Sequence, residues 1–260
     1  MPIQTASSRA DRARMRTSLA ALRARQGPLD ALVRAVVRLG FALMGWRVKP
    51  SGLELLPRGR HGRVIPCVVA VAPHRGCIDP FVLLLAWPRD APRLAWFGDE
   101  RTMVRSWWRR RLLHRLGMIP ISPEATRGAV RDHLDDARTV LERGCCLVIF
   151  PEKGPPSPPG TLRRIAPGAA WLAAAGAVPI VPVAIGGCLQ AGLGTLFRLR
   201  VLAPLPAPMP RPDSSAGMRA ARATTEQLRA ALAPAVAELE GWSARANASR
   251  PLPGLRGLFH

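Results

Sequence analysis

The chain has 260 residues, of which 48% are hydrophobic and 21% charged, so it is long enough to build one sizeable core. Its 38 lysines and arginines against 17 acidic residues give a formal net charge of +21. A chain this basic is attracted to phosphates on nucleic acids, anionic membranes or small substrates. Tyrosine is absent and no zinc-finger or RNA-recognition signature occurs, so we expect no specific nucleic-acid partner.

The first part of the chain combines arginine with apolar residues. Residues 1–26 are rich in arginine and alanine, and we interpret them as a flexible basic arm. A helix is predicted over 29–46, but Arg34 and Arg38 interrupt it, and no segment approaches the roughly 20 apolar residues of a membrane-spanning helix. Two alternatives remain for this helix: it lies in a membrane interface, or it packs against the domain.

Short apolar runs rich in β-branched residues alternate with helical patterns along the rest of the chain. The apolar runs predict strands over 64–72, 94–97, 118–121, 145–150, 178–185 and 196–202. The segments between and after them predict helices over 80–87, 101–116, 124–142, 167–175 and 218–239. Pro179 and Pro182 indicate that the strand at 178–185 either lies at an edge of the sheet or contains a bulge.

This alternation predicts a single α/β domain over residues 27–240. Its sheet is expected to be mostly parallel or mixed and covered by helices, and an amphipathic helix at 27–47 precedes it. A flexible tail is expected over 241–260. The five cysteines form no CxxC pair and no zinc-like spacing with histidines, so we interpret them as small apolar residues in a reducing compartment and expect no metal site.

A histidine and an aspartate follow the strand predicted at 64–72. Residues 72–80 read Ala-Pro-His-Arg-Gly-Cys-Ile-Asp-Pro, in which a strand ends, a turn with a glycine follows and a helix starts. Asp79 stands at a helix N-cap position with Pro80 after it. At such a corner the Asp79 carboxylate can meet one nitrogen of His74, and the other nitrogen can then take a proton from an alcohol. Simple helix capping and an ordinary loop histidine are the structural alternatives.

A second charged stretch, Phe-Pro-Glu-Lys-Gly at 150–154, follows the apolar strand at 145–150. Ligands of α/β proteins gather at the carboxyl ends of strands. Glu152 can therefore bond an acceptor hydroxyl and Lys153 can meet a phosphate. A solvated turn is the alternative for this stretch.

The order of these segments resembles the glycerolipid acyltransferase family, which includes lysophosphatidic-acid acyltransferases and glycerol-3-phosphate acyltransferases. An HxxxxD pattern from His74 to Asp79 is followed by Phe-Pro-Glu-x-Gly, by Pro-Gly-Ala-Ala at 167–170 and by Val-Pro-Ile-Val-Pro-Val at 178–183. The resemblance spans residues 64–187. The chain departs from it by Glu-Lys-Gly-Pro at 152–155, where the family commonly has Glu-Gly-Thr-Arg, and by Ser122, where an arginine often binds the acceptor phosphate.

The resemblance implies that His74 is a general base oriented by Asp79. An acceptor hydroxyl would attack the thioester of acyl-CoA or acyl carrier protein directly, with no covalent acyl-enzyme and no cofactor besides this co-substrate. Cys77 would be a spectator. Glu152 and Gly154 match the block that contacts the acceptor in the family. Where the family's phosphate-binding arginine is missing, Arg127, Lys153, Arg163 or Arg164 would supply the positive charge, and their spacing does not choose among them.

The implied partners are an acyl thioester donor, a lysolipid acceptor such as 1-acyl-glycerol-3-phosphate, and an anionic membrane surface at the cytoplasmic face. Trp107 and Trp108, among the arginines of 105–111, suit a lipid headgroup region. The alternative for this segment is a solvated basic helix whose tryptophans enter the core. Two alternatives stay open. The acceptor is a different lipid, such as an aminolipid or glycolipid, or the chain is a catalytically silent basic module that binds membranes or nucleic acid.

Overall fold

The computed structural model describes residues 24–99, 113, 115–121, 127–154, 158–209 and 214–247. Most of the expected basic arm and nearly all of the helix predicted at 101–116, with Trp107 and Trp108, lie outside the described residues. Within the described residues, no helix combines the length and the apolar character that crossing a membrane requires.

The described strands form one seven-stranded sheet in the order β1-β7-β6-β2-β5-β3-β4. Their bounds are β1 Arg47–Ser51, β2 Val68–Ala72, β3 Leu94–Asp99, β4 Met118–Ile121, β5 Cys146–Ile149, β6 Ile180–Gly186 and β7 Leu196–Val201. Neighbouring strands are parallel except β6 and β7, which are antiparallel. The predicted α/β fold with a mostly parallel sheet is confirmed.

Helices cover both faces of this sheet. Their bounds are α1 Pro28–Leu43, α2 Asp79–Ala86, α3 Arg127–Glu142, α4 Gly168–Gly176 and α5 Ser215–Asn247. On β2, Val68, Ala70 and Ala72 pack with α3, α4 and α5, whereas Val69 and Val71 pack on the opposite face with α1 and α2. A central parallel strand is therefore buried on both sides, which is why its sequence is apolar without alternation.

The proline-containing strand β6 is internal, between β7 and β2, so the expected edge position is wrong. The alternative, a bulge within this strand, is not observed either, because β6 pairs in regular register with β2 and β7 and the extra residue of the irregular pairing lies on the segment after β7. Val183 pairs with Val201 and Ile180 pairs with Leu205, so β6 advances three residues between these pairs while the partner segment advances four. Pro182 keeps the regular register, since its carbonyl accepts the N–H of Leu202 at 2.9 Å, and the proline lacks only the N–H that would complete this pair.

The C-terminal helix α5 is longer than its pattern predicted. We expected a flexible tail from residue 241, but α5 continues to Asn247. Glu240 and Ser243 are buried, and the guanidinium of Arg198 lies 3.6 Å from the ring centre of Trp242. These contacts hold the last turns of the helix on the domain, and they outweigh the helix-weakening effect of the glycine at position 241.

Candidate active site

The Asp79 carboxylate holds the His74 ring at the corner between β2 and α2. Oδ2 of Asp79 lies 2.8 Å from Nδ1 of His74. The aspartate side chain is fully buried, while 46% of the histidine side chain is exposed. Because the carboxylate accepts the Nδ1 proton, the basic lone pair of the ring is on Nε2, where it can take a proton from a substrate hydroxyl.

Asp79 is fixed by the turn that precedes α2. Its Oδ2 also accepts the backbone N–H groups of Arg75 at 2.6 Å and Gly76 at 3.0 Å. The helix begins at Asp79 itself, and the N-cap residue, Ile78, makes no side-chain cap. The expected capping role of Asp79 is therefore wrong, because its carboxylate binds amides before the helix and not those of the first helical turn.

Glu152, just after β5, fastens two backbone segments of the site to each other. Its Oε2 accepts the N–H of His74 at 3.1 Å, and its Oε1 accepts the N–H of Arg163 at 3.0 Å. The ring of Phe150 stacks on the His74 imidazole with centroids 4.1 Å apart. The sequence did not indicate this positioning role, and the bond from Glu152 to an acceptor hydroxyl stays a prediction.

The basic residues expected to meet a phosphate lie mostly on two antiparallel segments after β5. The N–H of Lys153 donates to the carbonyl of Arg164 at 3.1 Å, which places the two residues side by side. The side chains of Lys153 and Arg164 are exposed, and that of Arg163 is half-buried. Gly154 has a φ of +88°, and a Cβ there would lie 3.5 Å from Nη1 of Arg163. Arg127 is the first residue of α3, and its side chain lies outside the described part of the structure.

An apolar cavity of about 540 Å³ lies beside His74. Its lining comes from α1, α2, β3, β4 and the residue after β5, so it runs between the sheet and the helices on the His74 side. Apolar lining residues include Val33, Phe81, Leu84, Trp96, Phe97, Met118 and Phe150. No pattern in the sequence indicates this cavity, because its walls come from elements far apart in the chain.

Part of the cavity lining is a polar network that anchors α1. Nη1 of Arg34 donates to the carbonyl of Trp87 at 2.7 Å, and Nη2 donates to Oε1 of Gln26 at 2.9 Å. Asp30 and Arg93 form an ion pair at 3.0 Å. Burial, together with neighbouring arginines, lowers the pKa of Arg34. Arg34 thus packs α1 against the domain. This packing is one of the two alternatives that the sequence left open for this helix.

The five cysteines are free thiols. Burial, followed by the negative charge of Asp79, raises the pKa of Cys188 well above its ordinary value, so this thiol stays neutral beside the corner that carries His74 and Asp79. Cys77 is exposed and lines the cavity. In the described part of the chain, no group of three or more His, Cys, Asp and Glu side chains is placed to hold a metal ion.

Two comparisons with known proteins bear on the family and the fold of this chain. The family model described as Acyltransferase matches residues 47–186, which is more than half of the chain and runs from β1 to β6. The fold is similar to that of the 1-acyl-sn-glycerophosphate (LPA) acyltransferase PlsC from Thermotoga maritima, with a TM-score of 0.57, 19% sequence identity, and coverage of 81% of this chain and 79% of that chain. The matched segment includes His74, Asp79 and Glu152. The chain therefore belongs to the acyltransferase family.

Proposed function

We propose that this chain moves a fatty acyl group from an acyl thioester, acyl-CoA or acyl carrier protein, to the hydroxyl of a lysophospholipid such as 1-acyl-glycerol-3-phosphate. The observation that carries the proposal is the His74–Asp79 pair beside an apolar cavity. The family implies an acyl donor and an acceptor. The structurally similar PlsC is a 1-acyl-sn-glycerophosphate acyltransferase, which supports an acceptor of this class.

The proposed chemistry is a direct transfer in which His74 moves one proton. Nε2 of His74 takes the proton of the acceptor hydroxyl while the oxygen attacks the thioester carbonyl. Asp79 supports the positive charge that develops on the imidazole. When the tetrahedral intermediate collapses, the carbon–sulfur bond breaks and the departing thiolate receives the proton from His74. The products are an ester and a free thiol, and the enzyme returns to its starting protonation state.

Substrate recognition divides between the cavity and the basic residues after β5. The apolar lining beside His74 suits an acyl chain, since burial of each methylene group contributes about 0.8 kcal/mol. Lys153, Arg163 and Arg164 provide positive charge near the same histidine, and Arg127 stays a further candidate. A phosphate-bearing acceptor meets these charges with its headgroup and presents its hydroxyl to Nε2.

The outer face of α1 suits attachment to a membrane surface. Leu32, Val36, Leu39 and Leu43 are 61–77% exposed, and their spacing puts them on one face of the helix. The opposite face carries Arg34 into the domain and contributes to the cavity lining. An enzyme docked in this way would take its lipid acceptor from the bilayer. We therefore propose a peripheral protein at the cytoplasmic face of the cell membrane.

The test is release of free thiol from long-chain acyl-CoA and acyl carrier protein in the presence of a panel of lysolipids. His74→Ala should lower kcat/KM by about 10³-fold or more, because it removes the general base. His61→Ala is the matched control, since His61 is an exposed histidine in a loop. The control should retain wild-type kinetics.

The acceptor panel separates the remaining alternatives. Turnover with lysophosphatidate supports the proposal, and turnover only with an aminolipid or glycolipid would replace the acceptor while keeping the chemistry. Full activity of the His74→Ala variant would refute the mechanism. A folded protein that binds polyanions in a salt-sensitive way but releases no thiol from either donor would be the silent module.

A further inference from the structure

A buried ion pair connects the turn between β2 and α2, which carries His74 and Asp79, to the C-terminal helix α5. Nε of Arg75 lies 2.7 Å from Oε1 of Glu240, and Nη2 of Arg75 lies 2.8 Å from Oε2. The side chains are only 1% and 7% exposed. Two parallel bonds of this kind fix the orientation of both side chains as well as their distance. Glu240 lies on α5, beyond the segment that the family model matches.

The same pair also holds residues 158–166, which we name the arginine loop because it carries Arg163 and Arg164. Nη2 of Arg75 donates to the carbonyls of Pro158 at 3.3 Å and Thr161 at 3.4 Å. The N–H of Gly160 donates to Oε2 of Glu240. The start of the arginine loop is therefore bound by both members of the ion pair.

The other end of the arginine loop is bound by the segment after β5. Oε1 of Glu152 accepts the N–H of Arg163, and Lys153 donates its N–H to the carbonyl of Arg164. Arg75 in turn follows His74 directly and gives its backbone N–H to Asp79. One arginine thus connects the acid–base pair, the arginine loop and α5.

We propose that Arg75 and Glu240 are positioning residues that hold the arginine loop in register with His74, so that the acceptor phosphate and the acceptor hydroxyl are placed together. A buried ion pair adds little net stability compared with apolar side chains of similar size. Its specific contribution here is geometry, since it fixes backbone groups of the loop that apolar side chains would leave unbound. This inference rests on the proposed transfer to a phosphate-bearing acceptor.

Loss of the pair should affect the acceptor more than the donor. The acyl chain of the donor contacts the cavity, whose lining includes neither Arg75 nor Glu240. The acceptor headgroup depends on the arginine loop. Displacement of such a group by about 1 Å can reduce turnover by up to about 100-fold without any change in the reacting residues.

The experiment compares Glu240→Gln with Glu238→Gln. Glu238 lies on the same helix and forms a similar two-bonded pair with Arg200, but that pair is at the surface. Glu240→Gln should raise the KM for lysophosphatidate by about tenfold or more and leave the KM for acyl-CoA unchanged. Hydrogen exchange of residues 158–166 should become faster. Glu238→Gln should change neither quantity.

A double variant, Arg75→Met with Glu240→Leu, covers the case in which Glu240→Gln does not fold, because apolar side chains of similar size can replace a buried pair without loss of stability. A wild-type acceptor KM and wild-type exchange in this variant would overturn the inference. If the wild-type protein itself transfers no acyl group, the proposed function fails. Hydrogen exchange then still decides whether the pair holds the arginine loop.

Discussion

Cys77 provides a test at the scale of one residue, because its thiol reaches solvent beside His74. Cys67, Cys145 and Cys146 are buried, and Cys188 is half-buried. We expect iodoacetamide to alkylate Cys77 first in the native protein. Partial burial raises the pKa of Cys77 above its ordinary value of 9.0. Since the thiolate is the reactive form, the rate should still rise as the pH passes 9.

Mass spectrometry of digested protein measures this reaction site by site. A thioether analogue of acyl-CoA, which cannot be cleaved as a thioester, should slow alkylation of Cys77 because the thiol lines the cavity. Alkylation in urea, where all five thiols are accessible, is the control. Equal labelling of Cys188 in the native state, or a rate that levels off below pH 9, would contradict the arrangement.

The sequence predicts site residues well where the contact is local. His74 and Asp79 are five residues apart, so a strand, a turn and a helix are enough to bring them together. Arg75 and Glu240 are 165 residues apart, and neither stands in a pattern that indicates the other. Contacts of this kind depend on how α5 crosses the sheet, which hydrophobic periodicity does not specify.

Gly186 provides a test at the scale of packed elements, because β6 and α5 meet there with no space for a side chain. A Cβ at this position would lie 2.8 Å from the carbonyl oxygen of Leu239 and 2.9 Å from its Cβ. Gly186→Ala should therefore destabilise the protein by about 1–3 kcal/mol, since backbone must shift to admit the methyl group. The shift would occur next to Glu240, so the acceptor KM should rise as well.

Gly40→Ala is the matched control for this substitution. Gly40 is inside α1, and no atom beyond its neighbours lies within 4 Å of a Cβ placed there. Alanine is favoured over glycine in a helix by about 0.5–1 kcal/mol, so this variant should be slightly more stable than the wild type. Thermal unfolding measures both variants. Equal melting temperatures for the two would contradict the tight contact between β6 and α5.

At the scale of elements, the sequence predicts the buried strands and helices because apolar runs mark them clearly. It misses β1, whose residues 47–51 are mostly exposed and include two basic residues and a proline, so that no apolar pattern appears. The helix predicted from the sequence also ends too early, at residue 239, whereas α5 continues to Asn247. The last turns of α5 are stabilised by Trp242 against Arg198 and by the buried Glu240, which are tertiary contacts and leave no periodic signal.

At the scale of the whole molecule, the proposed attachment to an anionic membrane draws on two features, the exposed apolar face of α1 and the net charge. The charge of +21 attracts the protein to anionic surfaces over a distance of about one Debye length, roughly 10 Å at 0.1 M salt. Exposed basic side chains follow α1 in the chain at Arg47, Lys49, Arg60 and Arg63. Apolar burial then adds a contribution that salt does not screen.

Substitution of Leu32 and Leu39 by glutamine separates these two contributions. Both side chains are 61% exposed, so the double variant should fold normally. Its affinity for phosphatidylglycerol vesicles should fall by about tenfold or more, because full burial of each leucine contributes about 1.5–3 kcal/mol and insertion at an interface recovers part of it. Vesicle flotation or surface plasmon resonance measures the affinity.

The matched control replaces Met209 and Met218 by glutamine, since these methionines are exposed by 72% and 46% at positions outside α1. This variant should bind vesicles as the wild type does. Added salt should weaken the wild type, the control and the α1 variant by the same factor, because all three carry the same net charge. If the α1 variant binds as tightly as the control, charge alone accounts for attachment. The apolar face of α1 would then have to meet something other than lipid.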